Sequence, residues 1–161
     1  MPKTEMANLP DNARIWIFGI SPALTESSAR TLEQRVDAFL DQWAAHGTPI
    51  TSARQLLWGS FLVVGVDKRS ETSGCSIDRM FGLLRQLEDE LSVEILSAER
   101  IFVRHGDGRI DAITRGEFSE SGDYHTIVFD TAAERLEQVR SGAWERRAEE
   151  SWHRQLLKPA S

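Results

Sequence analysis

The stretch FLVVGV, Phe61–Val66, limits the fold more than any other feature, because its apolar residues do not alternate with polar ones. A strand with one face in water alternates, whereas a strand buried on both faces does not. We therefore predict a strand in the middle of a sheet. The longer segment Arg54–Asp67 predicts either two short strands around a tight turn at Gly59-Ser60 or one long strand with a bulge at Gly59.

Two segments have the three- and four-residue apolar spacing of amphipathic helices. The first has Thr25 or a nearby serine as its N-cap, and we place His46 in its last turn and Gly47 just after it. The second has Ser76 as its N-cap and Asp78 in its first turn. The apolar stripes are Leu32, Val36, Phe39, Leu40 and Trp43 in the first helix, and Met80, Leu83, Leu84, Leu87 and Leu91 in the second.

The predicted elements follow the order strand, helix, strand, strand, helix, strand. The first strand is Arg14–Ile20, and the last is part of a hairpin, Arg100–Ile113, that turns at Gly106–Gly108. This order predicts an α+β fold, a ferredoxin-like split βαβ sandwich with an added hairpin strand and a C-terminal extension. The helices cover one face of the sheet, so the C-terminal segment or a second subunit must cover the other.

The chain of 161 residues has the length of one domain. We predict a flexible tail at residues 1–12, because this segment is polar and ends in the turn signal LPDN. The α+β core domain covers residues 13–118. Residues 119–161 form a C-terminal extension that docks on the core, since Trp144 and Trp152 are large apolar side chains that seldom stay in water.

Composition excludes several classes of protein. A net charge of −6 argues against nucleic-acid binding, which needs a basic surface. A single cysteine cannot form an internal disulfide, so we expect a reducing, cytoplasmic location. No apolar run approaches the roughly 20 residues that cross a bilayer. No H-x-x-x-H or C-x-x-C spacing suggests a metal site, and no motif calls for a cofactor.

Several short motifs resemble a family of small, uncharacterised bacterial proteins from Bacteroidota and their relatives. They are RIWIF, QWAAHGTP, FLVVGVDKRSETSGCSID and SWHRQLL, and the resemblance extends from about Arg14 to Leu156. Members of that family often carry the label "ABC transporter ATPase", and the family implies no established activity. The chain has no G-x-x-x-x-G-K-[ST] motif to hold nucleotide phosphates. We therefore reject ATP hydrolysis of that type.

Cys75 is the candidate catalytic residue. It lies in SETSGCS, at or just before a helix N-terminus, where free backbone N–H groups and the helix dipole favour a thiolate. A cysteine nucleophile needs a base within hydrogen-bond reach, and His46 and His153 are the candidates. The alternative is that Cys75 is a small residue that fills a tight corner.

The loop around Cys75 is also a candidate ligand site. Its backbone amides lie at a helix N-terminus, where anions bind. The segment SWH, Ser151–His153, is expected to close over this loop, because a chain end seldom needs a tryptophan and a histidine for packing alone. The candidate ligand-binding residues are Ser73, Gly74, Ser76, Asp78 and Trp152.

These observations favour a cytoplasmic binding or interaction module with a small anionic ligand at the Ser73–Ser76 loop. A homodimer through an exposed sheet face is the expected assembly. The second hypothesis is a cysteine-nucleophile enzyme that acts on an acyl or thiol substrate. The third is association with nucleic acid or the ribosome through a basic face. That face would consist of Arg54, Arg100, Arg104, Arg109 and Arg115.

Overall fold

A computed structural model describes residues 3–158 of the chain. The strands are β1 (Arg14–Gly19), β2 (Ala44–Ala45), β3 (Thr48–Pro49), β4 (Ser52–Leu57), β5 (Phe61–Val66), β6 (Arg100–Arg104), β7 (Ile110–Thr114), β8 (Ile127–Phe129) and β9 (Glu145–Arg147). The α-helices are α1 (Glu26–Asp41), α2 (Gly74–Leu91), α3 (Arg115–Ser121) and α4 (Leu136–Arg140). Short 3-10 helices are Met6–Asn8, Ala148–Glu150 and Trp152–Leu156. The predicted α+β class is confirmed.

The first sheet is antiparallel, with the order β1-β5-β4. All six residues of β5 are buried, so the prediction of a central strand at Phe61–Val66 is confirmed. β4 and β5 are two strands around a turn, not one strand with a bulge. Trp58 and Gly59 have positive φ angles of 55° and 67° in this turn.

Helices α1 and α2 cover one face of the first sheet. The predicted cap of α1 is confirmed, since Thr25 Oγ1 accepts a hydrogen bond from the Ser28 amide at 3.1 Å. The predicted end of α1 is wrong, because the helix stops at Asp41. His46 and Gly47, with φ angles of 52° and 80°, instead form the two-residue turn between β2 and β3, where a tight hairpin needs positive φ.

The second sheet has the order β7-β6-β8-β9 and packs against the other face of the first sheet. The predicted hairpin of β6 and β7 is confirmed, but β6 pairs on its other side with β8 and does not join the first sheet as predicted. Both faces of β6 are buried in this position, since Phe102 packs toward the first sheet while Ile101 and Val103 pack away from it. The sheet face that we expected the C-terminal segment or a second subunit to cover is covered by the second sheet of this chain, to which the C-terminal segment contributes Phe129 and Trp144.

The C-terminal segment belongs to the second sheet and its outer layer. β8 and β9 are strands of that sheet, so residue 118 is not a structural boundary. The outer face packs against α3 and the last 3-10 helix. The residues in contact there are Ile101, Val103, Phe118, Val128, Ala148, Leu156 and Leu157.

The N-terminal segment also differs from the predicted flexible tail. Over residues 3–12 it lies against the edge of β4, and the Thr4 amide donates to the Ser52 carbonyl at 2.7 Å. Leu9 is buried in the core between the two sheets. A segment that buries a leucine and pairs its backbone is held in place.

Candidate functional site

The proposed nucleophile is accessible, but the structure gives it no clear partner. Cys75 is the second residue of α2 and is exposed. His46 is exposed in the β2–β3 turn. That hairpin is joined to α2 by Arg79, whose guanidinium donates to the Ala44 carbonyl at 2.6 Å. No hydrogen bond links Cys75 to a histidine within residues 3–158.

The polar groups of the predicted anion loop are used to cap α2. Ser73, not Ser76, is the N-cap, and the prediction of Ser76 at that position is wrong. The Ser76 amide donates to Ser73 Oγ at 3.1 Å, and the Ser73 amide donates to Ser76 Oγ at 2.8 Å. Ser76 is fully buried, and its carbonyl accepts from Trp43 Nε1. Of the predicted ligand residues in this loop, only Gly74 and Asp78 are exposed.

Trp152 and His153 lie in a different layer from Cys75. The indole of Trp152 donates to Asp130 Oδ1 at 3.1 Å and stacks on the His153 ring, with centroids 3.9 Å apart. His153 packs beside Phe118 on the outer face of the second sheet, whereas α2 covers the far face of the first sheet. The segment SWH therefore does not close over the Cys75 loop.

His153 is a packing residue in this structure. It is 1% exposed, and its Nδ1 lies 2.7 Å from Ser151 Oγ. The pKa of His153 is lowered to about 4, mainly by burial; the charges of Arg115 and Arg146 act in the same direction, and Asp130 opposes them. The imidazole is therefore neutral near pH 7 and held in a stack, where no substrate reaches it.

A cleft that sequence reasoning missed lies where β1 begins and β5 ends. Its volume is about 410 Å³. The two strand ends meet because Arg14 is the register partner of Val66. The segment before α4 closes the third side, since Arg135 forms a backbone bridge with Arg14. The lining residues are Arg14, Val66, Asp67, Lys68, Ser70, Thr72, Glu134 and Arg135.

The cleft contains positive charge that the chain does not neutralise. Within residues 3–158, neither Arg14 nor Lys68 has a carboxylate oxygen within 4.0 Å, whereas Arg135 pairs with Glu137 at 2.6 Å. The guanidinium of Arg14 lies over the ring of Trp16, 4.3 Å from the ring centroid, and this cation–π contact helps to position it. Two cations are thus available to a ligand.

The buried carboxylate of the cleft is already paired. Asp67 is 5% exposed and accepts from the Arg69 side chain at 2.9 Å and from the Arg69 amide at 2.9 Å. The side-chain hydrogen bond from Arg69 is the main cause that lowers the pKa of Asp67. Asp67 is therefore ionised, and Arg69 neutralises its charge. The Asp67 carboxylate thus does little to offset the positive charge of Lys68.

The missed site begins just before the predicted loop. Ser70 and Thr72 come shortly before Ser73. The predicted anion site, Ser73–Ser76, therefore lies only a few residues after the segment that lines the cleft. The run DKRS after an apolar strand was the available signal. Arg14 and Arg135 were not predictable as its partners, because they are far away in sequence and are brought together only by strand pairing.

Comparisons with protein-family models, with curated proteins and with solved structures each gave no match to this chain. Within residues 3–158, no group of three or more His, Cys, Asp and Glu is arranged to hold a metal ion. None of the helices in the same range combines the length and the apolar character needed to cross a membrane. The functional assignment therefore depends on the cleft geometry.

Proposed function

We propose that this protein is a cytoplasmic binding module and that the cleft at Arg14 and Lys68 is its site for a small anionic ligand. The observation that supports the proposal is the pair of unneutralised cations in one concave site. Arginine and lysine are the usual ligands of carboxylate and phosphate groups. This assignment keeps the class expected from the sequence and moves the site from Ser73–Ser76 to the preceding loop.

The cleft also limits the ligand. Its volume of about 410 Å³ is within the roughly 300–1,000 Å³ of small-molecule sites. Glu134 lines the same wall and disfavours a second anionic group beside it. The hydroxyl of Thr72 is available for a hydrogen bond to a neutral part of the ligand. A small metabolite with one carboxylate or phosphate and a polar body fits these features.

The test is a calorimetric titration of the full chain with inorganic phosphate and with lactate, which has one carboxylate and a polar hydroxyl. Arg14→Gln and Lys68→Gln should each weaken binding about tenfold, since a charge-assisted hydrogen bond is worth roughly 1.5 kcal/mol or more. Arg14→Lys should restore part of the affinity because it keeps the charge.

Arg85→Gln is the matched control. Arg85 is exposed on α2, away from the cleft, and has no ion pair within the described residues 3–158. Its loss makes the net charge more negative by the same one unit and should leave the affinity unchanged. If neither anion binds at low salt, or if all three Gln variants weaken binding equally, the proposed site is wrong.

We also propose the finer fold assignment, a ferredoxin-like arrangement built into the first sheet. β1, α1 and β4 form a split βαβ unit, since β1 and β4 are parallel with β5 between them. In a ferredoxin-like sheet, the strand that follows the second helix pairs with the edge of β1 that does not face β5. Glu94, which follows α2, forms a single antiparallel bridge to Ser21 at the end of β1. This bridge supports a fourth strand that is reduced to one residue.

A further inference from the structure

The outer edge of β1 has backbone groups without partners. The Ile20 amide donates to the Ser60 carbonyl at 2.7 Å, which continues the β1–β5 ladder. Because hydrogen bonding alternates along an antiparallel strand, Trp16 and Phe18 bond to β5. Ile15, Ile17 and Gly19 therefore direct their N–H and C=O groups to the other edge.

This edge is closed at both ends. At one end the Ile15 amide donates to the Glu134 carbonyl at 2.9 Å. At the other end the backbones of Ser21 and Glu94 exchange two hydrogen bonds, at 3.0 and 2.7 Å. Between these bridges, no segment of residues 3–158 bonds to the backbone of Ile17 or Gly19. Ile17 is 8% exposed and Gly19 is partly exposed. An unpaired buried amide costs roughly 1–3 kcal/mol, which favours an arrangement in which these groups reach water through the gap between the two bridges.

We propose that this edge binds an extended peptide segment of another protein by β-strand addition. The free edge from Trp16 to Gly19 has room for about four residues of an added strand, which would bond to the backbone of Ile17 and Gly19. The added strand occupies the position that the split βαβ order reserves for the strand after α2. Among the described residues 3–158, Glu94 alone occupies part of this position.

A second copy of the chain does not fit the same edge. Two β1 strands paired about Ile17 would place Glu94 of each copy where Ala13 and Arg14 of the other lie. The blocking segments at Glu94 and Glu134 are in the plane of the sheet, as the backbone bridges require. A short peptide avoids them, because it can leave the plane at both ends. The occupant is therefore a segment of a different protein.

The surroundings of the edge define the peptide's chemistry. On one face the neighbours are Phe18 and Phe81, whose rings are 5.7 Å apart. On the other face they are Ile17 and the buried Phe102. Arg14, without a carboxylate partner, lies at the Ile15 end, whereas Arg100 at the other end pairs with Glu94 at 2.9 Å. The fitting segment is apolar on both faces and carries a carboxylate at the end nearest Arg14.

The first experiment is amide hydrogen exchange on the free chain. The amides of Ile17 and Gly19 should exchange at least about tenfold faster than those of Trp16 and Phe18, which belong to the same strand and serve as the internal control. Equal protection of all four amides would mean that the edge is already covered, and the proposal would fail.

The second experiment selects binders from a library of random peptides of about eight residues. Enriched peptides should slow exchange at Ile17 and Gly19 about tenfold and carry an acidic residue at one end. N-methylation of the peptide amides that face β1 should abolish binding, because it removes the backbone donors. The Lys68→Gln variant should bind the peptide normally while losing phosphate affinity, which separates this site from the cleft.

The outcomes that overturn the proposal are specific. They are a library without enriched sequences, enriched peptides whose exchange footprint lies elsewhere, and binding that survives N-methylation. A further one is a dimer, detected by sedimentation, that protects Ile17 and Gly19 without any peptide. That result would replace the peptide with a second copy of the chain.

Discussion

The His153 side chain is stabilised only in its neutral form. Its ring is stacked on Trp152 and buried in the outer layer of the second sheet, which disfavours the charged form. The nearby guanidinium groups of Arg115 and Arg146 disfavour a proton there as well. A buried group whose pKa is far from its unfolded value makes stability depend on pH.

We expect the protein to lose stability as pH falls from about 6.5 toward 4. In this range the unfolded chain binds a proton at His153 and the folded chain does not, because the folded pKa is lowered to about 4 from 6.5. The loss from pH 7 to pH 5 should be about 2 kcal/mol. Urea unfolding of the wild type and of His153→Gln at both pH values measures it. An equal loss in both proteins would show that His153 is not the cause.

Local chemistry at single residues was predictable from the sequence, whereas partners distant in sequence were not. The Thr25 cap depends on residues within one turn, and it was confirmed. Ser73 and Ser76 offer the same hydroxyl at two nearby positions, so the sequence did not decide between them. His153 looked like a base for Cys75 because its chemistry is visible in the sequence and its burial is not.

At the scale of elements, the two sheets contact each other where the backbone of one lies against an aromatic ring of the other. The Phe102 ring of β6 lies directly against Gly19 of β1, and a Cβ atom at Gly19 would overlap three ring atoms. Glycine is required here for space, since φ at this position is not positive. The contact is part of the core that joins the two sheets.

Gly19→Ala should therefore destabilise the protein by about 3 kcal/mol, the upper range for overpacked cores. Phe102→Leu in the same chain should recover part of this loss, because a smaller side chain leaves room for the methyl group. Gly82→Ala is the control, since nothing lies within 4 Å of a Cβ there and the site is inside α2. The control should be neutral or stabilising. Additive effects of Gly19→Ala and Phe102→Leu in urea unfolding would contradict the contact.

Element types were easier to predict than element partners. The unbroken apolar run of β5 and the spacing in α1 and α2 are properties of neighbouring residues, so they identified a central strand and two helices. The assignment of β6 to a second sheet depends on β8, more than twenty residues further along. The unbroken apolar run of β6 indicates that both of its faces are buried, but it does not identify the strand beside it.

The whole molecule has four layers: helices, the first sheet, the second sheet and an outer layer that the C-terminal segment completes. Cys75 belongs to the first layer and the Trp152–Leu156 helix to the last. The candidate ligand cleft lies at the end of the first sheet, where segments from three parts of the chain meet. The predicted closure of the C-terminus over Cys75 fails at this scale, because both sheets lie between them.

Truncation after Arg147 should expose the outer face of the second sheet, where Ala148 is buried and Leu156 packs. We expect a loss of about 3 kcal/mol or more, as for the removal of several buried aliphatic groups. The alkylation rate of Cys75 should not change, since the thiol is exposed in another layer. Gln155→Ala, an exposed position in the same segment, is the control. A truncated chain with wild-type stability, or with altered Cys75 reactivity, would contradict this layered arrangement.

The bridge between Arg14 and Arg135 also has a consequence for biosynthesis. Strand β1 leaves the ribosome well before the residues that close its Ile15 end, which lie more than about a hundred residues further along the chain. At roughly 5–20 residues per second, that interval is on the order of ten seconds. During this time the nascent chain presents an unfinished, strongly apolar sheet. A chaperone that recognises extended apolar segments should therefore bind β1 before residue 134 is translated and release it afterwards.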